Sequence, residues 1–190
     1  MSGRRGFSLI ELVVALGIGL ALGVGGMAAI ATALRHLAGV ALRAEADDLA
    51  HLALETFTLD VRRAGYDPRA VGVEALVEAT PTRLGLAADL DGDGAVDAAS
   101  EERTTLVCDV PGGRLSRILG TQSLPLANRI TACAFGYADA NGLALVPPPA
   151  GLDAAARRRV RRATIDVALA PAAGAASSAT RASVALRVLP

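Results

Sequence analysis

From Leu12 to Leu34 the chain runs for 23 residues without a charged side chain. At about 1.5 Å per residue a helix of that length spans roughly 34 Å, enough to cross the hydrocarbon core of a bilayer. The pattern predicts a membrane-crossing helix. A cleaved secretory signal would have a shorter apolar region ending in a small-residue site, and no Ala-x-Ala site stands out here from the surrounding Ala and Gly. Arg4 and Arg5 precede the segment, whereas Arg35 and Arg43 beyond it are mixed with Glu45, Asp47 and Asp48. The positive-inside rule therefore puts the N-terminus in the cytoplasm and everything after about Arg35 outside it.

A helical period continues from about Leu37 to Ala64. At 100° per residue, Leu49, Leu52, Thr56 and Leu59 fall on one side, and Ala50, Leu54, Phe57 and Val61 fall nearly opposite. A polar strip of Asp48, His51, Glu55 and Arg62 runs between them. Two opposed apolar stripes predict packing against a globular domain on one side and against other helices on the other; an ordinary bundle helix buried on two sides is the alternative. The helix is expected to end at Gly65, a C-terminal cap, with Pro68 preventing continuation. His36 and His51 read as juxtamembrane and solvated.

Beyond it the pattern changes to short strands separated by turns. Strands are expected at 83–87, 104–109, 114–119, 130–137, 162–169 and 182–189. Ala163, Ile165, Val167 and Leu169 alternate with polar positions, as do Val184, Leu186 and Val188 across an Ala/Gly/Ser loop, which predicts a terminal antiparallel pair. The expected fold class is α+β: a long N-terminal helix packed on a C-terminal antiparallel β-sheet domain.

Composition narrows the picture. A chain of 190 residues holds one ordinary domain and an appendage. The 19 basic residues, all Arg, balance 19 acidic ones, so a general polyelectrolyte role has no support from net charge. The chain is 52% hydrophobic but only 3% aromatic, too apolar for disorder.

Three groups of residues carry candidate chemistry. Asp89, Asp91, Asp93 and Asp97 stand at positions one, three, five and nine of a loop with Gly94 at six, the oxygen spacing of calcium loops. The twelfth position, where a bidentate Glu belongs, is Ser100; Glu101 and Glu102 lie just beyond as substitutes. Ca2+ is thus the candidate cofactor, with a solvated acidic turn as the other reading. Cys108 and Cys133, the only cysteines, lie in the region placed outside the cytoplasm, where a disulfide is the default and a pair of buried thiols the alternative. Arg157, Arg158, Arg159, Arg161 and Arg162 have no interleaved aromatics, so they read as a solvated segment leading into a strand rather than a nucleic-acid site, with an acidic neighbouring subunit as a further partner for their charge. Two histidines and turn-located acids assemble no catalytic triad, phosphate loop or paired catalytic carboxylates, and the chain is expected to be a non-enzyme.

The run Arg4-Arg5-Gly6-Phe7-Ser8-Leu9-Ile10-Glu11-Leu12 resembles the N-terminus of type IV pilins and the related pseudopilins: a short basic leader ending in Gly, then Phe, then Glu four residues later. The resemblance implies that a prepilin peptidase cuts between Gly6 and Phe7 and methylates the new amino terminus on Phe7. It also implies an assembly role for Glu11, the fifth residue of the mature chain. A carboxylate costs on the order of 2.5 to 3.5 kcal/mol near a bilayer centre, and pairing it with a neighbour's α-amino cation would offset that and register the incoming subunit. On position alone, a hydrated carboxylate at headgroup depth is the alternative. Ala28 stands where major pilins usually carry Pro. The run Asp60-Val61-Arg62-Arg63-Ala64-Gly65-Tyr66 looks like the helix-to-domain junction of PilW-like minor pilins.

On this resemblance residues 1–6 are a leader, 7–35 a transmembrane and assembly helix, 36–65 an extracytoplasmic amphipathic helix, and 66–190 a globular β-rich domain of pilin-like fold. The implied function is that of a minor pilin taking part in pilus biogenesis. Its partners would be prepilin peptidase, other minor and major pilins met through the N-terminal helix, and the inner membrane. It would be single-pass there before assembly, with a periplasmic domain, and lie on the pilus at the cell surface afterwards. A type II secretion pseudopilin is the nearest rival; a calcium-dependent adhesin or DNA-binding pilus subunit is a second.

Overall fold

The structure, a computed structural model, describes residues 8–170 and 178–185; for 39, 41–47, 49–50 and 178–185 it describes the backbone alone. The chain divides into two compact units, residues 1–43 and 44–190. Helix α1, Leu9–Arg63, begins in the first and ends in the second.

In the first unit, Leu9–Ala38 is long and apolar enough to cross a membrane, and none of it is buried. Leu12, Val13, Leu16, Leu20, Val24, Met27 and Ile30 all present more than half their surface. Side chains that are apolar all round a helix and unburied by protein suit a lipid solvent. Gly17, Gly19, Gly23, Gly25 and Gly26 have no other group within 4 Å of where a Cβ would stand. Each weakens a helix by up to about 1 kcal/mol relative to Ala, and the helix passes through all five, and through Ala28, without a break.

In the second unit, the last turns of α1 bury Ala53, Phe57, Asp60, Val61 and Ala64 along one face, while Leu52 and Leu59 stay exposed. The opposed stripes expected from the sequence are therefore partitioned: the side bearing Phe57 and Val61 enters the domain core, and Leu52 and Leu59 lie outside it. Gly65 ends the helix at φ 73°, a left-handed conformation that favours glycine, and its N–H donates to the Ala87 carbonyl at 2.8 Å.

The β-structure forms two antiparallel sheets rather than one. Strands β1 (Leu76–Ala79), β2 (Arg83–Ala87), β3 (Arg103–Asp109), β4 (Arg114–Leu119) and β5 (Gln122–Asn128) pair in sequence order. Strands β6 (Ile130–Ala138), β7 (Arg162–Leu169) and β8 (Ser178–Ala185) form the second sheet, with the short helix α2 (Ala154–Arg159) before β7. The terminal antiparallel pair is present as β7 and β8, paired from Leu169↔Ser178 to Arg162↔Ala185. β8 thus starts four residues before the expected position, and 186–189 lie outside the described residues. Period-2 alternation decides β7, which buries Ala163, Ile165, Val167 and Leu169.

A single core joins the two sheets to α1. Phe57, Val61, Leu84, Leu86, Leu106, Leu115 and Ile165 are almost fully enclosed, and the Phe57 and Phe135 rings stack with centroids 6.5 Å apart. Tyr137 crosses between sheets, its hydroxyl donating to the Thr80 carbonyl at 2.9 Å; burial, with the charge of Glu78 behind it, pushes that phenol's pKa up.

Candidate functional site

Ser8 flanks the start of α1, and its carbonyl accepts the Leu12 N–H at 3.2 Å. Glu11 lies in the first turn, exposed, and its Oε2 accepts the Ser8 N–H at 3.4 Å. A carboxylate there meets the positive end of the helix dipole. The Ser-x-x-Glu spacing behind this contact is visible in the letters, but the longer resemblance around it drew attention to Glu11 alone. Gly6 and Phe7 lie outside the described residues.

The acidic loop follows β2 and is tied to the segment just after α1. The Asp89 N–H donates to the Tyr66 carbonyl at 2.8 Å, and Arg69 reaches the Asp93 carbonyl at 2.9 Å. Asp67, one turn away, gathers the N–H groups of Val71, Gly72 and Val73. Burial works to raise its pKa, but the N–H donors of Val73, Gly72, Val71 and Ala70 together outweigh it and hold the carboxyl below its ordinary value.

Within the loop Asp89 is fully buried and accepts from Gly92 N–H at 2.7 Å and Gly94 N–H at 3.0 Å, the first-to-sixth-position link that the glycine's φ of 86° permits. Asp91, Asp93 and Asp97 each accept an N–H two residues on. Glu102, buried, turns inward and accepts from Leu90 and Asp97 at 2.9 and 2.8 Å and from Asp91 at 3.3 Å. The Asp97 N–H, then that of Leu90, hold its carboxyl below the usual range; burial opposes them and Asp91 adds to them. Ser100, at the twelfth position, is used in the turn: its hydroxyl donates to the Asp97 carbonyl and accepts the Glu102 N–H. Glu101 points outward.

Carboxylate oxygens of Asp89, Asp91 and Glu102 lie within 4.8 Å of one another, a spacing that suits one hard cation. Asp93 and Asp97 do not belong to that group. Of the sequence candidates the loop therefore brings two together and recruits Glu102, named only as a substitute, as the third. Neither His36 nor His51 joins a group of metal-capable side chains among the described residues.

Cys108 on β3 and Cys133 on β6 form a disulfide. It joins the two sheets and removes the alternative of two free thiols.

The arginine cluster leads into β7 with Arg158, Arg159 and Arg162 exposed, as expected, and three of its five members also meet acids of the same chain. Arg157 and Arg158 both reach Glu74, and Arg159 reaches Asp139. Arg157 also donates to the carbonyls of Leu76 and Leu152, and Arg161 to those of Arg158 and Val160. The first three of these arginines lie on α2, whose start is capped by Asp153 accepting the Ala156 N–H. Two further ion pairs are not marked by the sequence pattern: Arg83 reaches Glu78 at 2.7 Å, and a second pair ties β4 to α1. Arg117 on β4 grips the buried Asp60 of α1 with two N–H groups, at 2.7 and 2.5 Å.

Residues 1–31 match the family model described as the prokaryotic N-terminal methylation motif. No curated protein and no solved structure matches the chain. The motif supports a type IV pilin-like prepilin, pilin or pseudopilin, a class whose members are typically structural and whose precursors are processed by prepilin peptidase. One N-terminal apolar helix and this motif agree with a membrane-anchored pilin.

Proposed function

We propose that the chain is a minor pilin of a type IV pilus, cut after Gly6, N-methylated on Phe7, and built into the filament through α1 with Glu11 as the residue that registers it on a neighbour. It resides first in the inner membrane with its β-rich domain in the periplasm, and then on the pilus. The observation that carries this reading is the methylation motif over 1–31 overlapping the apolar helix Leu9–Ala38, which is unburied among the described residues. The exposed Leu52 and Leu59, on the side of the helix away from the core, support a helical neighbour there. Co-expression with prepilin peptidase should yield a mature chain beginning at N-methyl-Phe7 by mass spectrometry. In the same cells Glu11→Ala should still insert in the membrane but drop out of sheared filaments. An uncut chain, or normal incorporation of Glu11→Ala, would count against the reading, and co-purification with secretion rather than pilus components would assign the chain to the pseudopilins.

A second reading concerns the acidic loop and is favoured by the convergence of Asp89, Asp91 and Glu102. It is that the loop takes Ca2+ with the weak affinity of extracellular sites. Millimolar Ca2+ should raise the melting temperature of the full chain in detergent, and Asp91→Ala should abolish the rise; an unaltered melting curve for the wild type removes the idea.

A further inference from the structure

A helix begins with N–H groups that have no partner inside the helix, and nearby side chains can supply one. At the start of α1 the backbone geometry and a side chain answer this together. Ser8 accepts from Leu12 through its carbonyl, and its own N–H goes to Glu11 Oε2 at 3.4 Å. Ser and Glu three residues apart at a helix start are the residues of a capping box, in which the acidic side chain reaches back to the flanking N–H. The bond uses one oxygen of Glu11. A carboxylate offers about four lone-pair sites on its two oxygens, so this cap leaves room for a second, charged partner.

We propose that Glu11 has an intramolecular partner before it meets any other subunit: Ser8 is a positioning residue whose backbone N–H holds the Glu11 side chain against the helix start, and this capping role is separable from the charge of Glu11. That the held carboxylate then serves assembly rests on the reading above; the cap itself rests on the Ser8–Glu11 geometry. Gln is the other residue that completes a capping box. Its amide oxygen accepts the same N–H without the charge, whereas Ala lacks both the acceptor and the charge. The two substitutions thus pull the roles apart.

The test is amide hydrogen exchange on the isotope-labelled full chain in lipid bicelles, for the wild type, Glu11→Gln and Glu11→Ala, with membrane insertion and incorporation into filaments scored for all three. The Ser8 amide in Glu11→Gln should exchange within about two-fold of the wild type, and in Glu11→Ala about five-fold faster or more. An Ala variant as slow as the wild type, or a Gln variant as fast as the Ala variant, overturns the capping box. Incorporation is read separately. A Gln variant that keeps the slow Ser8 amide but fails to enter filaments supports two separable roles, while one that keeps it and assembles normally removes the charge-pairing reading and leaves the cap standing.

Discussion

Asp60 is a buried carboxylate whose charge is met by a guanidinium. Its side chain is 3% exposed and that of Arg117 17%, so neither ion is well served by water, and the two-pronged contact between them has to compensate. Removing one partner leaves the other buried and unpaired. Arg117→Ala should therefore cost about 3 kcal/mol or more, seen as a lowered urea midpoint of the full chain in detergent. Arg158→Ala is the contrast: that side chain is 72% exposed, and loss of its bond to Glu74 should change stability by less than about 1 kcal/mol. Nothing in the periodicity marks Asp60 as buried, because an acid on the border of an apolar stripe looks the same whether it faces water or a guanidinium 57 residues away.

Among the elements, those with strict local patterns were legible in the sequence. β2, β4 and β7 have the expected bounds, and β3 and β6 differ by one residue at an end. β1 and β5 escaped for physical reasons. β1 is four residues long and β5 contains Pro125, a residue tolerated only because β5 is the last strand of its sheet and has a neighbour on one side alone. α2 escaped because three arginines dominate its six residues and the short Asp153 cap gives little warning. In the acidic loop the Asp and Gly spacing was legible, while the arrival of Glu102 depends on the turn through Asp97 and Ser100 that brings the chain back. This loop and its neighbour Asp67 also set an acid limit. Both Glu102 and Asp67 have native pKa values below their ordinary ones, so their contribution is fully present above the ordinary carboxylate range and is lost as the pH falls through the native values. Urea midpoints should fall between about pH 5 and pH 2, and Glu102→Gln should flatten that slope. An unchanged slope would show that Glu102 is ionised equally easily in the unfolded chain.

For the molecule as a whole, the apolar excess of the composition resolves into two places: an N-terminal helix that is unburied among the described residues and a core shared by two sheets. What composition did not reveal is that the sheets belong to separate ladders, with no strand common to both. The Cys108–Cys133 bond therefore has a mechanical meaning. It closes a covalent ring that contains all of β4 and β5, so a pull between the last turns of α1 and the second sheet bypasses both strands. The sequence separation of 25 from one cysteine to the other is withdrawn from the extensible contour, about 85 Å of chain that tension cannot pay out. A chain under load would yield by unzipping ladders outside the ring, while the strands within it stay covalently looped however far the rest is drawn.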